Sequence, residues 1–237
     1  MTTTNVCTAE PRVTGRRASP VKESLGLREL RIVAPIGTGR RCTAWRAIRH
    51  GRDLVAKRFT DRAAAKHASR HGVSIARFEF ERNTSLFAVH ELRSNVARPL
   101  GFVASGSQQV FLQEFVDGLP LLRYAASASE SERSLVHAEL LRIVAIAHDA
   151  SFYDLDLHPK NILVRRRVDG LPGVVLFDFN KIPYHEWPPN AVARRLVAFG
   201  YIKPESRDLR HLCAIAKVLR LAPEAALDSA CRQVGVD

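Results

Sequence analysis

A short polar stretch, residues 153–164, carries Asp154, Asp156, His158, Lys160 and Asn161 directly before the apolar run Ile162-Leu163-Val164. A carboxylate five positions ahead of a carboxamide, with Pro159 between them, places both groups on the same side of a one-turn loop. Asp156 could then take or orient a proton, and the amide oxygen of Asn161 could hold a cation. A second carboxylate, Asp178, ends the apolar run Val174-Val175-Leu176-Phe177 and precedes Phe179 and Asn180. Upstream, Gly37 and Gly39 lie one residue apart, and Lys57 closes the run Leu54-Val55-Ala56. Taken alone, Gly37-Thr38-Gly39 would serve as a hairpin turn, and Lys57 as a surface lysine with a buried stem.

These residues need elements to position them. Leu30, Ile32, Val33 and Ile36 predict a first strand that ends at Gly37. Residues 43–48 predict a second strand, His50-Gly51-Arg52 a turn, and residues 54–59 a third strand, together an antiparallel meander. Residues 61–92 read as helical, with Phe78, Phe80, Leu86, Phe87, Val89 and Leu92 as core candidates. Strands return at 96–103 and 110–115, around a turn at Ser105-Gly106-Ser107. Residues 129–150 predict a long helix carried by Leu135, Leu140, Leu141, Val144 and Ile146. Two short strands follow at 162–164 and 174–177, and helices occupy the chain from Ala191 onward. The fold class is α+β, a strand-rich half with one helix followed by a helix-rich half with a small hairpin.

The order of these segments resembles the protein-kinase-like superfamily across roughly residues 30–212. Asp156 through Asn161 resembles its catalytic loop, and Asp178-Phe179-Asn180 its Asp-Phe-Gly motif with Asn180 in place of the glycine. Ile36-Gly37-Thr38-Gly39 is similar to its Gly-rich loop, with Cys42 at the third glycine, and Leu54-Val55-Ala56-Lys57 to its Val-Ala-Ile-Lys strand. The resemblance implies a two-lobed fold with a reduced helical C-lobe, ATP and Mg²⁺ as cofactors, and transfer of the γ-phosphate to a hydroxyl acceptor. It implies Asp156 as the group acting on the acceptor hydroxyl, and Lys160 or His158 as stabilisers of charge on the moving phosphoryl. Asn161 and Asp178 become metal ligands, Gly37 and Gly39 part of the phosphate cover, and Lys57 the partner of the α- and β-phosphates. A helix glutamate should hold Lys57. Phe78-x-x-Glu81 favours Glu81, with Glu79 left open. Backbone groups of Glu114 and Val116 should read the adenine edge, and Asp208 should brace the catalytic loop or cap its own helix. The expected division is a basic tail over 1–24, an N-lobe over 25–116 and a C-lobe over 117–237.

Departures from the superfamily's patterns narrow the type. The positions of His-Arg-Asp are Asp154, Leu155 and Asp156, no Ala-Pro-Glu follows, and fewer than sixty residues lie beyond Asn180. Such a chain resembles small bacterial sugar kinases of the lipopolysaccharide (Kdo and heptose) type and the PhoP-regulatory-network kinase-like family, and more distantly RIO-type atypical protein kinases. The favoured acceptor is a sugar or lipid-linked sugar. A protein serine is the first alternative, and a nucleotide-binding pseudokinase without catalysis the second.

Composition bounds these readings. The chain has 237 residues, 46% hydrophobic, with a formal net charge of +12. Thirteen basic and four acidic residues fall in the first sixty, so most of the excess sits in the first quarter. An anionic surface is a partner this charge would suit. Disorder as the overall state is excluded. The four cysteines form no Cys-x-x-Cys pair and read as reduced thiols. No apolar run reaches the roughly eighteen residues of a membrane span. The expected location is cytoplasmic, with peripheral attachment to an inner membrane surface left open. His67 and His71, four apart on a predicted helix, read as surface polar residues because no further ligand accompanies them.

Overall fold

The computed structural model describes residues 30–105, 108–179 and 182–221. The expected tail at 1–24, the turn at Gly106-Ser107 and the reading of Asn180 lie outside them.

Three strands open the chain: β1 (Arg31–Thr38), β2 (Cys42–Arg49) and β3 (Arg52–Phe59). They form the meander that the sequence predicts. His50 and Gly51 both take positive φ (48° and 72°), the primed turn that closes a two-residue hairpin. Two helices follow, α1 (Asp61–His71) and α2 (Ile75–Ala88), then a 3₁₀ turn at His90–Leu92. The single helical stretch expected over 61–92 is therefore divided. Gly72, at φ 69°, ends α1 with its N–H on the Ala68 carbonyl, and the Ser74 side chain caps α2 by accepting from Arg77 N. Of the six core candidates there, Leu86 and Leu92 are buried, whereas Phe78, Phe80, Phe87 and Val89 are half-buried.

Strands β4 (Pro99–Ser105) and β5 (Gln108–Glu114) complete an antiparallel five-stranded sheet in the order β1-β2-β3-β5-β4. Outermost β1 exposes Ile32, Val33 and Ile36, and its pairing with β2 is irregular on both sides of Pro35. The other edge strand, β4, also has a register shift, between Pro99 and Gly101.

Residues 115–118 lead from β5 into the second lobe: β6 (Leu119–Pro120), α3 (Leu121–Ser127), α4 (Glu130–Asp149), β7 (Ile162–Arg166), β8 (Pro172–Leu176), α5 (Ala191–Ala198) and α6 (Ser206–Val218). Strands β6-β7-β8 form a small antiparallel sheet. Helix α4 starts at a reciprocal capping box between Ser129 and Glu132. Its buried stripe is Val136, Leu140, Ile143, Val144 and Ala147, while Leu135 faces out. That stripe, with Leu155, Leu157, Ile162, Phe179 and Ile215, forms the largest core of the molecule. The catalytic-loop candidates are thus suspended between a rigid helix and a rigid hairpin. Separate apolar clusters hold the five-stranded sheet to α2, through Phe59, Ile75, Ala76 and Phe111.

Candidate active site

Lys57 is the centre of the site. On β3 its side chain is buried, with its Nζ 2.7 and 2.9 Å from the two carboxylate oxygens of Glu79 and 2.5 Å from Oδ1 of Asp178. Three segments far apart in sequence meet on one ammonium. Burial alone would push the lysine pKa down, but the Glu79 and Asp178 carboxylates reverse this and hold it above the ordinary lysine range. Two carboxylates face one cation, that of Glu79 fully buried and that of Asp178 partly exposed. Burial pushes Glu79 up to about 7 against the pull of Lys57.

The partner of Lys57 is Glu79, which corrects the preference for Glu81. Glu81 is exposed and pairs with Arg77 one turn earlier, at 2.8 Å. Helical phase explains this. The buried residues of α2 are Ile75, Ala76, Glu79, Asn83 and Leu86, a stripe that Glu79 joins and that Glu81, two positions on, cannot.

Asp156 and Asn161 sit together. The Asn161 amide nitrogen donates to the Asp156 carbonyl (3.1 Å) and carboxylate (3.4 Å). The Asn161 carbonyl accepts from Phe177 N (3.2 Å), which ties this loop to the residue before Asp178. Asp154, Asp156 and Asp178 all have left-handed backbones, with φ of 57°, 51° and 71°. A non-glycine residue is held there only where the surroundings over-determine it, at about 1–3 kcal/mol each. Here the surroundings are visible. Asp208, fully buried in the first turn of α6, accepts from the backbone N–H of Asp154 (2.8 Å) and of Leu155 (2.9 Å). Of the two readings of Asp208, the brace is the one observed. His148 Nε2 lies 3.1 Å from the same carboxylate.

His158 and Lys160 are exposed on the same loop. The His158 Nδ1 accepts from Lys160 N at 3.2 Å, so this nitrogen shapes the loop. Gly39 N donates to the Cys42 carbonyl (2.8 Å) and closes the turn between β1 and β2. A Cβ on Gly37 would meet nothing within 4 Å, and one on Gly39 only the Cys42 carbonyl at 3.7 Å. The backbone there borders open space that a phosphate could enter. At the connection between the lobes the Glu114 amide is committed to the Arg98 carbonyl (2.9 Å). The Val116 amide has no backbone partner among the described residues.

The sequence reading missed two arginines. Arg82, on α2, donates to the backbone carbonyls of Tyr153 and Asp154 and stacks 4.2 Å over the Phe152 ring. Arg207, on α6, pairs with the buried Asp154 carboxylate at 3.3 Å, and Tyr184 N donates to the same carboxylate. Arg82 occupies the α2 position three after Glu79, a signal that helical periodicity carries. No local pattern announces Arg207.

Among the described residues no group of three or more His, Cys, Asp or Glu side chains converges as a metal site. Asn161 and Asp178 nevertheless suit Mg²⁺, which takes one or two protein oxygens and fills its remaining positions with phosphates and water. The Asn161 nitrogen is turned to Asp156, which leaves the amide oxygen as its outward group. The His67 and His71 rings lie tilted against one another, centroids 4.8 Å apart; His67 is buried rather than on the surface as expected, and its Nδ1 bonds the Val73 carbonyl.

No family model and no curated protein sequence matches the chain. Among solved structures, the crystal structure of the PF14_0431 kinase domain superposes with a TM-score of 0.60 at 17% identity, covering 85% of this chain and 67% of that one. The fold is protein-kinase-like, with two lobes. Among the described residues no helix is long and apolar enough to cross a membrane.

Proposed function

We propose that this protein is an ATP-dependent phosphotransferase that moves the γ-phosphate of ATP to a hydroxyl group. The observation that carries this reading is the convergence of β3, α2 and the residue after Phe177 on one buried ammonium, Lys57 with Glu79 and Asp178. A structural ion pair needs two charges. A third, placed beside a strained loop bearing Asp156 and Asn161, serves phosphates and a metal. In the proposed reaction Lys57 neutralises the α- and β-phosphates. A Mg²⁺ ion held by Asn161 and Asp178 would offset charge on the β- and γ-oxygens. Asp156 accepts the acceptor's proton as its oxygen bonds to the γ-phosphorus and the bond to the bridging oxygen breaks. Lys160, exposed on the same loop, would stabilise charge on the moving phosphoryl group, and His158 would support that loop. Gly37 and Gly39 would cover the phosphates, and the Val116 amide is the free donor for the adenine edge. We place the N-lobe at 25–116 and the C-lobe at 117–237.

The favoured acceptor is small or lipid-linked rather than a peptide. Between Asp178 and Asp208 the described chain holds one eight-residue helix, α5, which offers little for docking an extended polypeptide. The test is Mg-ATP turnover by purified protein and by Asp178→Ala and Asp156→Asn. Asp178→Ala should abolish metal-dependent turnover. Asp156→Asn should keep nucleotide binding while transfer falls by about a hundredfold or more. Unchanged turnover in Asp178→Ala would remove the proposed metal site. Labelled ATP added to a lysate should mark the lipid extract. Label confined to protein bands would favour a protein serine as acceptor.

A further inference from the structure

A cavity of about 570 Å³ is walled from three directions. Arg40 and Arg41 come from the turn between β1 and β2, Arg62, Lys66 and Arg70 from α1, and Arg207 from α6. Trp187 and Ile182 close the side formed by the segment after Asp178. No acidic side chain belongs to the described lining. Arg62, Lys66 and Arg70 recur every four residues, so they stack on one face of α1. Like charges at that spacing weaken a helix. The three are exposed, and none has an ion pair with a described residue. A helix that concentrates unopposed positive charge on the wall of a cavity gains from an anion supplied from outside.

Two parts of the cavity wall are linked to the proposed transfer residues. Arg207 pairs with Asp154, two residues before Asp156, and Arg40 and Arg41 directly follow Gly39. Lys57 is not part of its wall. In the proposed reaction the nucleotide's phosphates have Lys57 as their own cation, and Arg40, Arg41, Arg62, Lys66 and Arg70 are left for another anion. A neutral sugar or an unmodified serine peptide would leave them facing one another.

We propose that this cavity binds a phosphate-monoester group of the acceptor, so that the compound phosphorylated already carries phosphate as well as a free hydroxyl. This inference rests on the phosphotransferase reading and names its acceptor class. Planar arginine forks suit a phosphate dianion better than a carboxylate-free neutral ligand, and the Trp187 ring offers an apolar face beside it. A soluble sugar phosphate and the monoester headgroup of phosphatidic acid present the same dianion.

The test uses the full chain without nucleotide, so it stands apart from turnover. Inositol hexakisphosphate is titrated by calorimetry, and binding to phosphatidylcholine vesicles is compared with and without phosphatidic acid. The protein should bind the hexakisphosphate. Arg62→Gln, Lys66→Gln and Arg70→Gln together should weaken it by about tenfold or more. Removing the same number of charges at Arg93, Arg98 and Lys217, exposed and outside the cavity wall, should leave binding within about twofold. Each of the three α1 substitutions made singly provides a milder variant should the triple one unfold. Retention on the phosphatidic acid vesicles assigns the ester to a lipid, and soluble binding alone assigns it to a sugar phosphate. Absence of hexakisphosphate binding, or equal losses in the two triple variants, would overturn the proposal. Loss of Mg-ATP turnover in Asp178→Ala tests the underlying reaction separately.

Discussion

Glu79 shows what a single position decides. It is fully buried with its carboxylate on Lys57, and burial raises its pKa to about 7 from an unfolded value near 4.5. Between those values the folded chain keeps a proton that the unfolded chain has released. Stability from this group is therefore fully present below the unfolded pKa and is lost as pH rises toward about 7. Urea midpoints measured across this window should fall with pH in the native protein and fall less in Glu79→Gln. Glu81→Gln, on the exposed face, should reproduce the native slope and native turnover, whereas Glu79→Gln should lower turnover by about tenfold or more because Lys57 loses its holder. The choice between the two glutamates was legible in the sequence by a route other than motif matching. The spacing Ile75, Glu79, Asn83, Leu86 is a helical stripe once the helix is known to restart after Gly72. The motif Phe78-x-x-Glu81 matched local letters and ignored that phase.

At the scale of elements, α2 is a lever with two loads. Glu79 sets Lys57, and Arg82, three residues on, holds the carbonyls of Tyr153 and Asp154 while covering Phe152. Any shift of α2 moves Lys57 and the backbone of the loop at Tyr153 and Asp154 together. Arg82→Ala should lower kcat by about tenfold with little change in the KM for ATP, since it touches the loop and not the nucleotide. Arg82→Lys should restore only part, because an ammonium can donate to both carbonyls as the single Nη2 does but cannot replace the planar stack on Phe152. Steady-state kinetics on both variants checks this, and an unchanged kcat in Arg82→Ala would separate the helix from the loop. The strands and the long α4 were readable because alternation, turn residues and the Ser129 cap all agree with the tertiary structure. Helix α3 was not readable. It is seven residues long with Leu121 and Ala125 buried, too short to establish a period.

The whole molecule is a clamp of two lobes, and a ligand bound between them should stabilise both. Saturating Mg-ATP should raise the unfolding temperature by several degrees, in line with about 2.7 kcal/mol at a hundredfold excess over Kd, and Asp178→Ala should lose the effect of Mg²⁺. Differential scanning fluorimetry with and without metal reads both. At this scale the order of chemical segments along the chain was legible, because β3, the catalytic loop and the hairpin each carry their residues in a local pattern. The cationic cavity was not, since it is assembled from the β1–β2 turn, α1, α6 and the segment after Asp178, which only folding brings together. Among the described residues the sheet that supports all this ends in two edge strands, and both are built alike. Strands β1 and β4 each contain a proline, Pro35 and Pro99, which offers no N–H, and each breaks its pairing register next to it. A foreign strand seeking to extend the sheet would find on β1 no more than two consecutive residues in register before the ladder shifts, and on β4 a run that starts only at Gly101. The apolar side chains that β1 shows to solvent are therefore poor seeds for fibrils, and crowded copies of this protein should stay dispersed where an unbroken edge of the same composition would polymerise.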